Sequence, residues 1–141
     1  MRMQDAVQMF KRQGYHFVGS LAAVKTCAWL RKSLRDEGEC YKSKFYGISS
    51  HRCIQMTPTL ICNHRCLHCW RPTGVSFEHA KWNSPEEIVE GCIEEQMRLL
   101  SGYAGSKKTN LKKLEEAKKP KHAAISLDGE PTLYPYLSEL I

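Results

Sequence analysis

Apolar positions recur with a helical period near the start of the chain and give way to short continuous runs later. Residues 5–13 carry apolar side chains at helical spacing and are followed by Gly14, which predicts a short helix with a glycine stop. The same spacing over 20–35, behind Ser20 as a cap, predicts a second helix. Residues 36–50 are polar and contain two glycines, so a loop is predicted there.

The second half of the chain predicts strands that alternate with helices. Residues 54–61 predict a strand, although Pro58 weakens it. The segment 84–87 is a strong helix start, with a serine cap, proline at the first position and glutamate at the third. The other predicted elements are a weak lysine-rich helix within 107–121, a buried strand over 123–127 and a helix that begins near Tyr136. This order predicts an α/β fold with a parallel sheet.

Composition narrows the class of protein. The 141 residues are 42% hydrophobic and 26% charged, which is typical of one soluble globular unit. No run approaches the ~20 apolar residues of a membrane span, and the first residues lack the apolar core of a secretory signal. We therefore expect a cytoplasmic protein without membrane contact. The net charge of +6 permits a polyanionic partner without proving one.

The seven cysteines point to metal binding, because cytosolic proteins seldom use cysteine for disulfides. Cys62, Cys66 and Cys69 form a C-x3-C-x2-C loop. Three thiolates on one short loop can ligate three irons of a [4Fe–4S] cluster and leave the fourth iron open. The alternative is zinc, with His64 or His68 as a fourth ligand.

The C-x3-C-x2-C loop resembles that of the radical S-adenosylmethionine superfamily, where it follows the first strand of a partial (β/α) barrel. In that superfamily a motif similar to Gly129-Glu130-Pro131 follows the second core strand and holds the methionine amino group. The resemblance implies a truncated radical core over 53–141, preceded by a helical and loop segment over 1–52. The residues that it implies for binding S-adenosyl-L-methionine are His68, Gly129, Glu130 and Pro131.

Cys27, Cys40 and Cys53 are separated by two gaps of twelve residues each. Equal gaps are not a coordination rule, so these could be three unrelated thiols, with Cys27 on the core face of the predicted helix. They could also form a structural zinc site together with His51, which lies two residues before Cys53.

Four further blocks resemble the tRNA 4-demethylwyosine synthase family, in its archaeal type without a flavodoxin domain. They are CYKSKFYG at 40–47, HRC at 51–53, CWR at 69–71 and SLDGEPTLYP at 126–135. The resemblance implies a second [4Fe–4S] cluster on Cys27, Cys40 and Cys53. It also implies that Lys42 forms a Schiff base with pyruvate, with simple charge pairing to the pyruvate carboxylate as the alternative role.

The activity that the family implies is that of a radical carbon–carbon lyase acting on tRNA(Phe). A 5′-deoxyadenosyl radical would take hydrogen from the methyl group of N1-methylguanosine-37, and the carbon radical would add to pyruvate to form 4-demethylwyosine. Electrons would come from a separate flavodoxin- or ferredoxin-like protein. Because only part of the barrel is present, we expect the 141-residue chain alone to be inactive. The rival functions are a radical enzyme with an auxiliary cluster and another substrate, and a zinc-stabilised RNA-binding module without catalysis.

Three further features of the sequence add predictions that do not depend on the family resemblance. Cys92 lies on an apolar helical face and is expected to be a buried structural thiol. Trp70 and Arg71 could line the tRNA or cofactor side, although Trp70 could equally be core. The lysines of 107–121 predict a solvated face, with tRNA contact as the minority interpretation.

Overall fold

A computed structural model of the protein describes residues 2–69, 74–77 and 80–141. The helices in these ranges are α1 (Met3–Arg12), α2 (Ala28–Leu34), α3 (Tyr41–Tyr46), α4 (Pro85–Leu100), α5 (Leu111–Ala117) and α6 (Leu137–Leu140). The strands are β1 (His16–Val18), β2 (Ala22–Lys25), β3 (Cys53–Thr57) and β4 (His122–Ile125). Single turns of 3-10 helix occupy Ser50–Arg52, Tyr103–Gly105 and Pro131–Leu133. Across the described ranges, no helix has the length and apolar character needed to cross a membrane.

The four strands form one sheet in the order β1-β2-β3-β4. The β1–β2 and β2–β3 pairs are antiparallel, whereas β3 and β4 run parallel, with Ile54 opposite Ala123. Helices α4 and α5 lie in the connection between β3 and β4. A parallel pair with a helical crossover is the α/β arrangement that the sequence predicted, and the fold class is confirmed.

The helix predicted over 20–35 is wrong in its first half, which is strand β2. Ala22, Ala23 and Val24 are all buried, because β2 lies between β1 and β3 and is covered on both faces. A strand covered on both faces shows a continuous apolar run, which helical spacing fits equally well. Only the second half is helical, as α2, so Cys27 caps that helix rather than lying on it.

The loop predicted over 36–50 contains the short helix α3, which ends at the left-handed Gly47 (φ 67°). Helix α3 buries none of its six residues, so it leaves no apolar period in the sequence. The predicted strand over 54–61 is shorter, because β3 ends at Thr57 before Pro58. The strand predicted over 123–127 starts and ends earlier, as β4.

The sheet runs without a break across the boundary predicted at residue 52, because β2 pairs with β3 over Ala23–Thr57 and Val24–Met56. The two segments, 1–52 and 53–141, therefore share one sheet. Their division stays a prediction about which cluster each segment serves.

The helix start predicted at residue 84 is confirmed by a capping box. The Ser84 hydroxyl accepts a hydrogen bond from the Glu87 amide, and the Glu87 carboxylate accepts one from the Ser84 amide. The buried residues of α4 are Ile88, Cys92, Gln96 and Leu100. Two other apolar residues of α4, Val89 and Ile93, are 46% and 39% exposed. Cys92 is buried as predicted, and burial raises the pKa of its thiol to about 12.

Two apolar clusters position the ends of the sheet. One cluster packs Ile88 and Cys92 of α4 against β1, β2 and β3. The other includes Phe10 of α1 together with Leu60 and Leu127, which lie just beyond the ends of β3 and β4. The chain segments that leave β3 and β4 are therefore anchored in a core before they reach the cysteine loop and the Gly129 turn.

Candidate functional site

The loop after β3 and the turn after β4 meet in a pocket of about 270 Å³. Because parallel strands end at the same edge of a sheet, their carboxyl ends bring these two segments together. The lining residues include the three loop cysteines Cys62, Cys66 and Cys69. His64 and His68 lie on the same loop, whereas Asp128, Gly129 and Glu130 belong to the turn after β4. The apolar part of the lining consists of Phe10, Leu60, Val75 and Phe77.

The two segments are fastened to each other by close backbone contacts. Gly129 has φ 75°, and a Cβ built there would lie 2.0 Å from the carbonyl oxygen of Thr59. The Glu130 amide donates to the Ile61 carbonyl at 2.8 Å. The buried Thr57 hydroxyl lies 2.6 Å from the Asp128 carbonyl oxygen and 2.7 Å from that of Thr59. Only glycine satisfies both the left-handed backbone and this approach.

The side chains that the cysteine loop contributes to the first pocket are open to solvent. All three loop thiols are exposed, and the loop turns back through a hydrogen bond from the Cys69 amide to the Cys66 carbonyl at 3.0 Å. His64 Nε2 lies 3.6 Å from Glu130 Oε2, so the loop and the turn also meet through side chains. Hydrogen bonds from Thr132 and the nearby His64 hold the pKa of Glu130 below its usual value.

The predicted cofactor residues are largely brought together. His68, Gly129 and Glu130 line the pocket, whereas Pro131 begins the following 3-10 turn and is not among the lining residues. Trp70 and Arg71 lie outside the described residues.

The upstream cysteines meet in a second, smaller pocket of about 140 Å³. Each of them lies at the start of an element: Cys27 caps α2, Cys40 precedes α3 and Cys53 opens β3. Lys42, on the first turn of α3, lines the same pocket. The remaining lining residues are Trp29, Tyr41, Ser50, Gln55, Ala124 and Ser126. Cys27 and Cys53, which are 26 positions apart in sequence, thus share one pocket with the predicted catalytic residue Lys42.

The pKa values of two thiols in the second pocket are shifted in opposite directions. Burial raises the pKa of Cys40, but hydrogen bonds from the Ser50 hydroxyl and from the backbone amides of Ser43 and Lys42 outweigh it, and the pKa falls below its ordinary value. Burial raises the pKa of Cys53, and the Lys42 ammonium only partly opposes this. The charge of Lys42 thus lowers the pKa of both thiols.

His51 does not join the upstream cysteines. Its Nε2 lies 2.8 Å from Glu116 Oε2 and its Nδ1 lies 3.5 Å from Ser33 Oγ. The hydrogen bond from His51 lowers the pKa of Glu116. Both ring nitrogens are thus engaged with α2 and α5, which argues against the zinc site composed of Cys27, Cys40, His51 and Cys53.

The donor chemistry of both pockets fits iron–sulfur ligation. All seven cysteines are free thiols, and three of them line each pocket. Within 2–69, 74–77 and 80–141, no three His, Cys, Asp or Glu side chains are already close enough to hold a metal ion. The sulfurs would therefore have to close in on a bound cluster by side-chain rotation or a small loop shift.

One lysine of the predicted solvated run points inward. Lys113 Nζ donates to the Ser33 carbonyl at 3.1 Å and to Glu39 Oε1 at 3.3 Å, and it lies 2.7 Å from Asp36 Oδ1. Six other lysines of the run are exposed: Lys107, Lys108, Lys112, Lys118, Lys119 and Lys121. The solvated face is borne out for these six, and tRNA contact there stays a prediction.

The chain is similar to proteins from several organisms that carry the same name. The chain is 52% identical over 142 residues to the S-adenosyl-L-methionine-dependent tRNA 4-demethylwyosine synthase of Pyrococcus abyssi, with 98% of this chain and 42% of that protein covered. It is 45% identical to the protein of the same name from Methanocaldococcus jannaschii, covering 98% and 47%. The chain belongs to the tRNA 4-demethylwyosine synthase family. No family model matches it.

Solved structures from the tRNA 4-demethylwyosine synthase family share the fold. TYW1 with a lysine–pyruvate adduct bound superposes with a TM-score of 0.88 at 46% identity, with 98% of this chain and 46% of that chain covered. The crystal structure of archaeal TYW1 gives 0.80 at 44% identity, covering 100% and 48%. The chain spans less than half the length of these family members.

The sequence missed several residues of both pockets. Phe10 of α1 lines the first pocket, and Ser50, Gln55 and Ser126 line the second. An apolar residue on an amphipathic helix and isolated polar residues in a strand, a turn or a strand end carry no chemical signal of a site. Two of them adjoin or belong to a motif block, since Ser50 directly precedes HRC and Ser126 is the first residue of SLDGEPTLYP.

Proposed function

We propose that the chain supplies one part of a tRNA 4-demethylwyosine synthase, a radical carbon–carbon lyase that in its full length condenses pyruvate with N1-methylguanosine-37 of tRNA(Phe). The observation that carries this proposal is the pairing of two cysteine pockets, one shared with the Gly129 turn and one shared with Lys42. The names of the relatives, which are S-adenosyl-L-methionine-dependent tRNA 4-demethylwyosine synthases, support it. The 141-residue chain alone is expected to be inactive.

Cys62, Cys66 and Cys69 would hold a [4Fe–4S] cluster in the first pocket. When bound, this cluster would supply the electron for the reductive cleavage of S-adenosyl-L-methionine. The backbone turn at Gly129 and the Glu130 carboxylate face that loop, and they suit the ammonium group of the cofactor. Hydrogen bonds from Thr132 and the nearby His64 lower the pKa of Glu130, which further favours the carboxylate form that an ammonium group would pair with. His68 and the apolar wall at Phe10, Val75 and Phe77 would contact the less polar part of the cofactor and exclude water.

The second pocket would hold the auxiliary cluster on Cys27, Cys40 and Cys53 and bind pyruvate beside Lys42. For a Schiff base, the neutral Nζ of Lys42 would attack the keto carbon, and the carbonyl oxygen would leave as water. The alternative is that the ammonium form pairs with the pyruvate carboxylate. The neighbour solved with a lysine–pyruvate adduct favours the covalent role.

The tRNA substrate and a separate flavodoxin- or ferredoxin-like electron donor complete the proposed partners. The net charge of +6 and the exposed lysines around α5 suit an RNA polyanion.

Borohydride trapping tests the catalytic role of Lys42. The reconstituted chain is incubated with labelled pyruvate, reduced with borohydride and digested for mass spectrometry. We expect a stable reduced adduct on Lys42, none in Lys42→Arg and an unchanged yield in Lys44→Arg, whose lysine lies exposed on the same helix. If protein that carries the upstream cluster yields no labelled Lys42, the imine is excluded and only charge pairing survives.

A further inference from the structure

Ser50 makes two hydrogen bonds to a single cysteine of the upstream pocket. Its hydroxyl oxygen accepts from the Cys40 amide at 3.1 Å, and its hydroxyl proton is donated to Cys40 Sγ at 3.3 Å. Ser50 is 1% exposed, so water does not compete for either bond. One hydroxyl group therefore fixes both the backbone and the sulfur of Cys40.

The Ser50 side chain is itself held in place by its surroundings. It opens the 3-10 turn Ser50–Arg52, whose next residue, His51, is bound to Glu116. The Glu39 carboxylate is a second hydrogen-bond partner of Ser50. Glu39 already receives hydrogen bonds from Ser33 at 2.8 Å and from Lys113 at 3.3 Å. Because Ser33 and Lys113 already donate to Glu39, that carboxylate does not depend on the single Ser50 proton, which is donated to the Cys40 sulfur.

We propose that Ser50 is a positioning residue for the upstream metal site, orienting the Cys40 sulfur and donating a hydrogen bond to it when it ligates metal. This inference rests on the proposed function in taking Cys40 as a ligand. Groups that hydrogen-bond to ligands set the ligand's orientation, and their removal weakens metal binding about 10–100-fold. Hydrogen bonds to cluster sulfurs also tune the reduction potential.

Amide hydrogen exchange of the metal-free chain tests the geometry. Ser50→Ala should remove the protection of the Cys40 amide, whereas Ser50→Thr, which keeps the hydroxyl, should retain it. Ser49→Ala, at the half-buried neighbouring position, serves as the matched control. Alanine removes only one oxygen atom, so the fold and the exchange of the α4 core should be unchanged. Equal protection of Cys40 in Ser50→Ala and wild type would overturn the inference.

Cadmium titration tests the consequence for metal binding. In a Cys62→Ser/Cys66→Ser/Cys69→Ser background, Cd²⁺ bound by the upstream thiols is followed through thiolate absorbance. We expect Ser50→Ala to bind Cd²⁺ at least about tenfold more weakly, and Ser50→Thr and Ser49→Ala to bind as the background does. Equal affinity in Ser50→Ala, or no Cd²⁺ binding by the background itself, would refute the positioning role.

Cadmium reports any thiolate site, so this result is independent of whether the native metal is iron or zinc. Iron, sulfide and zinc analysis of the wild-type chain addresses that separate question. If the upstream pocket holds zinc, the proposal of a second cluster is wrong, but Ser50 still orients Cys40 as a zinc ligand.

Discussion

The two cysteine sites differ in how the chain assembles them. The loop site takes its three thiols from eight consecutive residues, and all three are exposed. The upstream site takes one thiol from the start of each of three elements, and Cys40 is buried and hydrogen-bonded. A contiguous loop can close around a cluster by itself, whereas the upstream site depends on the packing of α2, α3, α5 and the sheet.

The difference shows where each site is vulnerable. The loop site depends on the contacts that hold it to the Gly129 turn, because its thiols have no packed surroundings. The upstream site depends on polar contacts behind the cysteines, such as those of Ser50 and Lys113. Substitutions remote from the sulfurs should therefore affect the two sites by different routes.

Thiol alkylation in the metal-free chain should give the largest contrast between loop and core. The exposed Cys62, Cys66 and Cys69 should react with iodoacetamide at ordinary rates. Cys92 should react about 10³-fold more slowly at pH 8, because the thiolate is the nucleophile and its pKa is raised to about 12. Mass spectrometry of peptides after timed quenching measures both rates, and unfolding in urea should make all seven thiols equivalent. Rapid labelling of Cys92 in the folded chain would contradict the buried thiol.

Gly129→Ala should be the most damaging single change at the loop site. The added Cβ would clash with the Thr59 carbonyl, and φ 75° is strained for alanine. We expect a loss of about 3 kcal/mol or more in the free energy of unfolding, combining overpacking with backbone strain. Urea unfolding followed by circular dichroism measures it.

Alanine substitutions at two other glycines separate the effect of backbone strain from that of the steric clash. Gly102 has φ 91° with nothing within 4 Å of a built Cβ, and Gly105 is equally open without a left-handed φ. Gly102→Ala should cost only the strain of about 1 kcal/mol, and Gly105→Ala should be nearly neutral. If Gly129→Ala were no worse than Gly102→Ala, the close contact at Thr59 would not be what fastens the loop.

Lys113→Ala should have a smaller effect than Gly129→Ala, and it concerns the upstream site. Removing its bonds to Ser33 and Glu39 should lower the free energy of unfolding by about 1–2 kcal/mol. Lys112→Ala, at the neighbouring exposed position, should stay within about 0.5 kcal/mol of wild type. The same urea titration measures both, and equal values would show that Lys113 is only part of a solvated face.

The sequence predicted features whose signals are local. The C-x3-C-x2-C loop is contiguous, and Ser84 with Glu87 specifies the start of α4 through their own hydrogen bonds. The meeting of that loop with Gly129 follows from the rule that parallel strands end at one edge.

Other features depend on tertiary structure and could not be predicted from local pattern. Strand β2 resembled a helix because both of its faces are covered, and α3 was missed because it buries nothing. Spacing alone left the upstream cysteines open between metal site and unrelated thiols, and only the family resemblance joined them. Ser50 adjoins the HRC block but carried no chemical signal of its role, because that role is a hydrogen bond to Cys40, ten residues away.

Iron, sulfide and zinc per chain, after anaerobic reconstitution, test the two-site account most directly. The measurement compares wild type with Cys62→Ser/Cys66→Ser/Cys69→Ser and with Cys27→Ser/Cys40→Ser/Cys53→Ser. The account predicts about eight irons with matching sulfide in wild type and about four in each triple variant, because each pocket would hold one [4Fe–4S] cluster. About four irons plus one zinc in wild type would reduce the upstream pocket to a structural site. Zinc without iron would contradict the account altogether.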